Sequence, residues 1–184
     1  MKAPRNLNVY HQKHLKGKEI ILKKEPWVNE KYRKDYEDFL NEILNLDSKV
    51  IEFASGGSSL YIAERVKSLL TLEYSILWYN ILREAIVKEG ISNITQHYDP
   101  DYPKNFHCAK PNFDVATVDI WGDPARKMCI ESAMNCVRPG GYLIFHNHVF
   151  IERLRKEGWA QVKDWGKKEG LPVLNQKVAW RKPA

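Results

Sequence analysis

Residues Lys49–Ser59 read KVIEFASGGSS. Val50, Ile51 and Phe53 are β-forming residues in a short apolar run that Glu52 interrupts. The chain then passes through Ala54-Ser55-Gly56-Gly57 into Ser58-Ser59. Leu60, Ile62, Ala63 and Val66 follow at helical spacing, so the stretch predicts a strand over Lys49–Phe53, a glycine turn and a helix over about Ser58–Lys67. Ser58 or Ser59 suits the N-cap of that helix. A glycine turn opening a helix lets the backbone approach a ligand closely, and a helix start favours polar or anionic groups. The plainer alternative is an ordinary strand-to-helix turn with no ligand, so the neighbouring elements must decide.

They repeat the pattern. Leu69–Glu73 predicts a second strand and Ile76–Lys88 a helix, with Gly90 in the position of its C-terminal cap. Asn93–Tyr98 predicts a third strand. Residues 99–112 hold three Pro and no period, which marks a loop. Phe113–Ile120 predicts a fourth strand and Pro124–Cys136 a helix with Asp123 as N-cap. Arg138-Pro139-Gly140-Gly141 reads as a turn into a fifth strand, Tyr142–Phe145. Upstream, Tyr32, Tyr36, Phe39, Leu40, Ile43 and Leu44 form one apolar stripe, so a helix over 29–46 packs on the core.

Strands alternating with helices mean an α/β protein with a parallel, doubly wound sheet in three layers. The last segment breaks that rhythm: Trp159–Trp165 and Lys177–Arg181 alternate apolar and polar residues, as an antiparallel pair at the sheet edge does. No internal repeat or linker divides the chain. Residues 1–184 are therefore expected to form one domain, with a basic arm at 1–28, a capping helix at 29–46 and the core at 47–184.

Composition narrows the class. A 43% hydrophobic content with six Trp and nine Tyr predicts a folded core rather than a disordered chain. No apolar run is long enough to cross a membrane, and no apolar segment follows the basic N-terminus as in a secretory signal. Three Cys at irregular spacing form neither a disulfide framework nor a zinc pattern, so reduced thiols and a cytoplasmic location are expected. The net charge of +6 is uneven: residues 1–24 carry +6, residues 151–184 carry +5 and the middle carries −5. Basic ends on an acidic middle suit contact with nucleic acid or another anion; solvated surface lysine is the plainer account.

In open α/β sheets ligands bind beyond the carboxyl ends of the strands. The residues there are Glu52 to Gly57, Glu73, Asp119 to Asp123, and His146-Asn147-His148. Glu73 lies 17 residues beyond Gly56, at the end of the second strand, where an acid can accept hydrogen bonds from a ribose diol.

Four stretches, VIEFASGGSS, LLTLEYSILWYNIL, FDVATVDIWGDPARKMC and VRPGGYLIFHN, carry a resemblance that covers about residues 45–147. Together they resemble the class I S-adenosylmethionine-dependent methyltransferases. The resemblance implies a seven-stranded Rossmann-like sheet in the order 3-2-1-4-5-7-6, with the last strand antiparallel. It implies that Glu52, Ala54, Ser55, Gly56, Gly57 and Ser58 pass the methionine part of the cofactor. Glu73 would hold the ribose hydroxyls, Tyr74 would flank the adenine, and Asp119 would face the methyl group or the substrate. The family's G-x-G-x-G is A-S-G-G-S here, with Ala54 and Ser58 in place of two glycines. A dinucleotide fold would share the turn and the acid, but G-x-G-x-x-G is absent, so NAD is the weaker alternative.

Methyl transfer from a sulfonium is an in-line displacement in which the protein chiefly aligns the reactants. A general base is needed only where the acceptor must lose a proton, and Asp119 and His146 are the catalytic candidates, with His148 beside them. A divalent metal on Asp119 and His146-Asn147, as in the catechol-type branch, is a further option, disfavoured because His replaces a hard carboxylate. Arg126 reads as a surface ion pair, Trp78 as packing on the sheet, and Cys129 and Cys136 as buried thiols. No motif specifies the acceptor, a small molecule or a nucleic acid, or the oligomeric state. The rival from another class is a non-catalytic Rossmann-like binding module, with nucleic acid as its candidate partner.

Overall fold

A computed structural model describes residues 22–26, 28–102, 106–120, 123–146, 151–165 and 177–184. A single 3-10 turn, Glu30–Tyr32, leads into α1, Arg33–Ile43. The alternating core follows: β1 Lys49–Phe53, α2 Gly57–Ala63, β2 Ser68–Glu73, α3 Ile76–Glu89, β3 Ile94–Tyr98, β4 Phe113–Val118, α4 Asp123–Cys136 and β5 Val137–His146. A short helix, α5 Ile151–Lys156, precedes the hairpin of β6 Ala160–Trp165 and β7 Lys177–Arg181. The seven strands form one sheet in the order β3-β2-β1-β4-β5-β7-β6. β1 to β5 are parallel, and β7 runs antiparallel between β5 and β6. This is the Rossmann-like methyltransferase topology that the resemblance implied.

Strand periodicity divides the core into two layers. Ile51, Phe53, Ala116, Leu143, Phe145 and Trp180 pack on one face with Ile130, Ala133 and Met134 of α4. Val50, Val115, Ile144 and Ala179 point to the other face, where Tyr36, Phe39 and Leu40 of α1 cover them. The stripe read in the sequence is thus core. The helix itself is shorter than 29–46, because Leu44 turns to extended backbone at φ −103° while its side chain stays buried.

Other boundaries shift for local reasons. α2 starts one residue early and stops at Ala63, short of Lys67. Gly90 takes φ 65° and caps α3, as expected of a glycine in the left-handed region. Arg138 to Gly141 do not leave the sheet as a turn. They form an irregularity inside β5, where the pairing steps from Phe113–Val137 to Val115–Tyr142. α5 has no counterpart in the sequence reading; six residues are too few to show a period.

The expectation of reduced thiols is overturned. Cys108 in the loop after β3 and Cys136 at the end of α4 form a disulfide, with Cα atoms 5.3 Å apart. The loop folds back on the helix end, and Asn112 N–H donates to the Cys136 carbonyl at 2.9 Å. Cys129 remains a buried free thiol. A cytoplasmic location drew its support from unpaired thiols and loses it here. Among the described residues no helix is long and apolar enough to cross a membrane.

Candidate functional site

A cavity of about 330 Å³ opens at the carboxyl ends of β1, β2 and β4. The turn from Ala54 to Ser58 forms its floor, and Glu73, Tyr74 and Trp78 form one side. Asp119 and Ile120 form another. Leu22, Lys23 and Glu25 close it from the N-terminal segment. That segment is bracketed by charge: Lys24 reaches Glu64 at 2.8 Å and Glu89 at 2.5 Å, and Glu25 pairs with Arg33 at 2.6 Å.

The turn is shaped by close backbone approach. Ala54 has φ 78°, a left-handed conformation that costs an L-residue with a Cβ more than it costs glycine. Its N–H donates to the Leu72 carbonyl at 2.9 Å, which ties the end of β1 to β2. A Cβ on Gly57 would stand 2.0 Å from the Lys23 carbonyl oxygen, so only glycine lets the N-terminal segment lie there.

Glu73 ties two loops together. Its Oε2 accepts from Ser55 N–H at 2.9 Å and from the Ser55 hydroxyl at 3.0 Å. Its Oε1 accepts from Ser75 N–H at 2.7 Å. Burial raises its pKa, and these donors partly oppose the rise. Tyr74, beside it, is pushed up to about 12, chiefly by burial and then by the neighbouring carboxylate.

Beneath the turn, Glu52 is fully buried. The Ser58 hydroxyl donates to its Oε1 at 2.7 Å and the Ser59 hydroxyl donates to its Oε2. Ser59 Oγ also accepts from Gly56 N–H at 3.0 Å. The two serines expected to cap α2 therefore serve Glu52 first. Burial raises Glu52 to about 7; the serine donors pull against that rise, and Asp119 adds to it.

Strand alternation places four polar residues on the α1 face at this end of the sheet. Glu52 follows Val50, Thr117 follows Val115, His146 follows Ile144, and Lys177 precedes Ala179. His146 and Lys177 are register partners across β5 and β7. Lys177 Nζ lies 3.1 Å from both oxygens of Asp119, and His146 Nε2 lies 3.1 Å from Asp119 Oδ1. The Tyr36 ring of α1 covers the ammonium at 4.7 Å. Burial alone would raise the Asp119 carboxyl, but Lys177 and then His146 outweigh it and hold it well below the carboxylate range. His146 is lowered by burial and by Lys177, against the pull of Asp119.

The structure gathers most of the sequence candidates. Ala54, Ser55, Gly56, Gly57, Ser58, Glu73, Tyr74 and Asp119 all line the cavity. Glu52 and His146 do not; both lie behind it. Trp78, expected to pack on the sheet, lines the cavity instead, because the start of α3 faces the turn. Arg126, expected in a surface ion pair, is buried and donates to the Ile120 carbonyl at 2.9 Å. Lys177, central to the cluster, was not a candidate; its place opposite His146 is its only signal. Asn147 and His148 lie outside the described residues. Among the described residues no group of three His, Cys, Asp or Glu side chains could hold a metal ion, and the Lys177 ammonium faces Asp119.

No protein-family model matches the chain, and no curated protein matches it in sequence. Solved structures do match. A Streptococcus mutans protein in complex with SAH aligns with TM-score 0.67 at 15% identity, over 81% of this chain and 96% of that one. An rRNA methylase from Streptococcus thermophilus aligns with TM-score 0.64 at 14% identity, over 86% of this chain and 100% of that one. A tRNA methyltransferase from Aquifex aeolicus aligns with TM-score 0.60 at 16% identity, over 82% of this chain and 69% of that one. At these identities the likeness is one of fold. The chain has the class I methyltransferase fold.

Proposed function

We propose that the protein is an S-adenosylmethionine-dependent methyltransferase. The observation that carries this is the cavity at the ends of β1, β2 and β4, with Glu73 on its wall and the 54–58 turn as its floor, in a class I methyltransferase fold. The residues fit a nucleoside. Glu73 presents its carboxylate on the cavity wall, where a ribose hydroxyl would donate to it beside the Ser55, Tyr74 and Ser75 donors. Tyr74 and Trp78 supply aromatic surface on the same wall. The volume suits a small ligand. Ser55, Gly56 and Ser58 would hold the methionine part, with Asp119 beside them.

When bound, S-adenosylmethionine supplies an activated methyl group. The chain's contribution is to hold and align, as in-line displacement demands. Asp119, paired with a buried ammonium, is a poor proton acceptor. Its role in this reading is that of a fixed charge. His146 acts through Asp119 rather than on an acceptor, since it does not line the cavity. The acceptor is a small molecule or a nucleic acid. Two similar structures are named for rRNA and tRNA methylation, and the basic ends of this chain are compatible with such a partner.

A second reading, a non-catalytic binding module, draws on the crowded floor of the cavity. Glu73 already accepts internal hydrogen bonds from Ser55, Ser75 and the Tyr74 backbone, and Lys23 lies against Gly57. Calorimetric titration with S-adenosylmethionine, S-adenosylhomocysteine and NAD separates the two. Micromolar binding of the sulfur ligands and not NAD supports the enzyme. No binding to any of the three, with nucleic-acid binding that weakens steeply with salt, supports the module.

A further inference from the structure

Asp119 lines the cavity, whereas Lys177 and His146, which both contact it, do not. The side chain of Lys177 is 1% exposed and that of Asp119 11%. The two charges are therefore unequally placed: Asp119 stands on the cavity wall with Oδ1 buried, and its ammonium partner lies off the wall under Tyr36. Among the described residues the titratable groups facing Asp119 are Lys177 from β7, His146 from β5, Glu52 from β1 and Tyr36 from α1, and Arg126 of α4 acts on His146. Among the described residues the Lys177 ammonium contacts Asp119 and does not line the cavity.

We infer that Lys177 and His146 are positioning residues that present Asp119 to the cavity as a permanent anion, so that the site selects a cationic ligand atom, the sulfonium, over its neutral thioether counterpart. This rests on the cofactor reading above. A pair so placed acts on a charge in the cavity as a dipole, weaker than a lone carboxylate and screened by solvent, so the expected preference is about five- to tenfold rather than a thousandfold.

The test compares affinities for S-adenosylmethionine and S-adenosylhomocysteine in the wild type, in Asp119→Asn and in Lys177→Met/Asp119→Asn. The double variant buries no charge at these two positions and carries the test if the single variant folds poorly. The ratio of the homocysteine ligand's Kd to that of the methionine ligand should fall about five- to tenfold in both variants, while S-adenosylhomocysteine affinity changes less than about twofold. In Lys177→Met alone, S-adenosylmethionine binding should persist at pH 8 and weaken toward pH 5 as Asp119 takes up a proton; a purely structural role would not produce that profile. An unchanged ratio in a variant that still binds both ligands overturns the inference and leaves the cofactor reading standing. If the wild type binds neither ligand, both fail.

Discussion

Lys177 Nζ lies 3.1 Å from Asp119 Oδ2, joining the last strand of the sheet to the end of β4 across 58 residues of sequence. The two charges are buried together, and Lys177 is 1% exposed. Desolvating an ion pair is costly, so the pair itself adds little net stability, but breaking it strands a charge. Lys177→Met should therefore cost about 3–5 kcal/mol in urea denaturation at pH 7. Adding Asp119→Asn should recover most of that loss. A single variant as stable as the wild type would show that the carboxylate finds solvent or another partner.

Glu52 gives the stability curve a pH slope. Its carboxyl is raised by burial from 4.5 to about 7 in the folded state. The folded protein thus holds a proton that the unfolded chain has released. The contribution is full below about pH 4.5, is lost as pH rises through 7, and totals about 3 kcal/mol. His146, lowered by burial, tilts the curve the other way below its ordinary value near 6.5. The difference between wild type and Glu52→Gln isolates the effect: relative to the wild type, the variant should gain stability as pH rises from 5 to about 7 and level off above that. A flat difference would mean that Glu52 is ionised across the range.

Two adjacent glycines should respond in opposite ways to alanine. At Gly56 the backbone is extended, with φ 176°, and an added Cβ meets nothing within 4 Å. Gly56→Ala should change stability by less than about 0.5 kcal/mol. At Gly57 the Cβ would collide with the Lys23 carbonyl. Gly57→Ala should push residues 22–25 off the cavity and speed tryptic cleavage after Lys23 and Lys24 several-fold. Equal cleavage rates in the two variants would show that the segment lies loosely on the turn.

The Cys108–Cys136 disulfide closes a loop across a sequence separation of 28. Cross-linking a loop of that length restricts the unfolded chain by about 3.5 kcal/mol. Denaturation with and without a reducing agent should show a loss of roughly 2–4 kcal/mol on reduction. Cys108→Ser should match the reduced protein. Identical midpoints in both conditions would indicate that the thiols are not paired in solution.

The sheet was legible because its signals are local. Val50, Ile51 and Phe53 before a glycine turn, Gly90 after a periodic helix and the alternating terminal hairpin each specify an element without reference to distant residues. Most of the cavity wall followed, since strand ends in this topology converge. What escaped depends on register and on loops. Lys177 sits at the start of a strand, where a lysine reads as solvent-facing; only pairing with His146 turns it inward. Arg126 reads as a surface cation until the helix start buries it against the Ile120 carbonyl. The disulfide needs the loop after β3 to fold back over the end of α4, and no spacing of three cysteines predicts that.

The most direct test of the proposal that this cavity takes the cofactor is an amide and indole chemical-shift titration with S-adenosylhomocysteine. If the account holds, the largest shifts fall on Ser55 to Ser58, Glu73, Tyr74 and the Trp78 indole, the groups that line the cavity. Saturable binding with shifts confined to other parts of the fold, or no shifts at millimolar ligand, would contradict it.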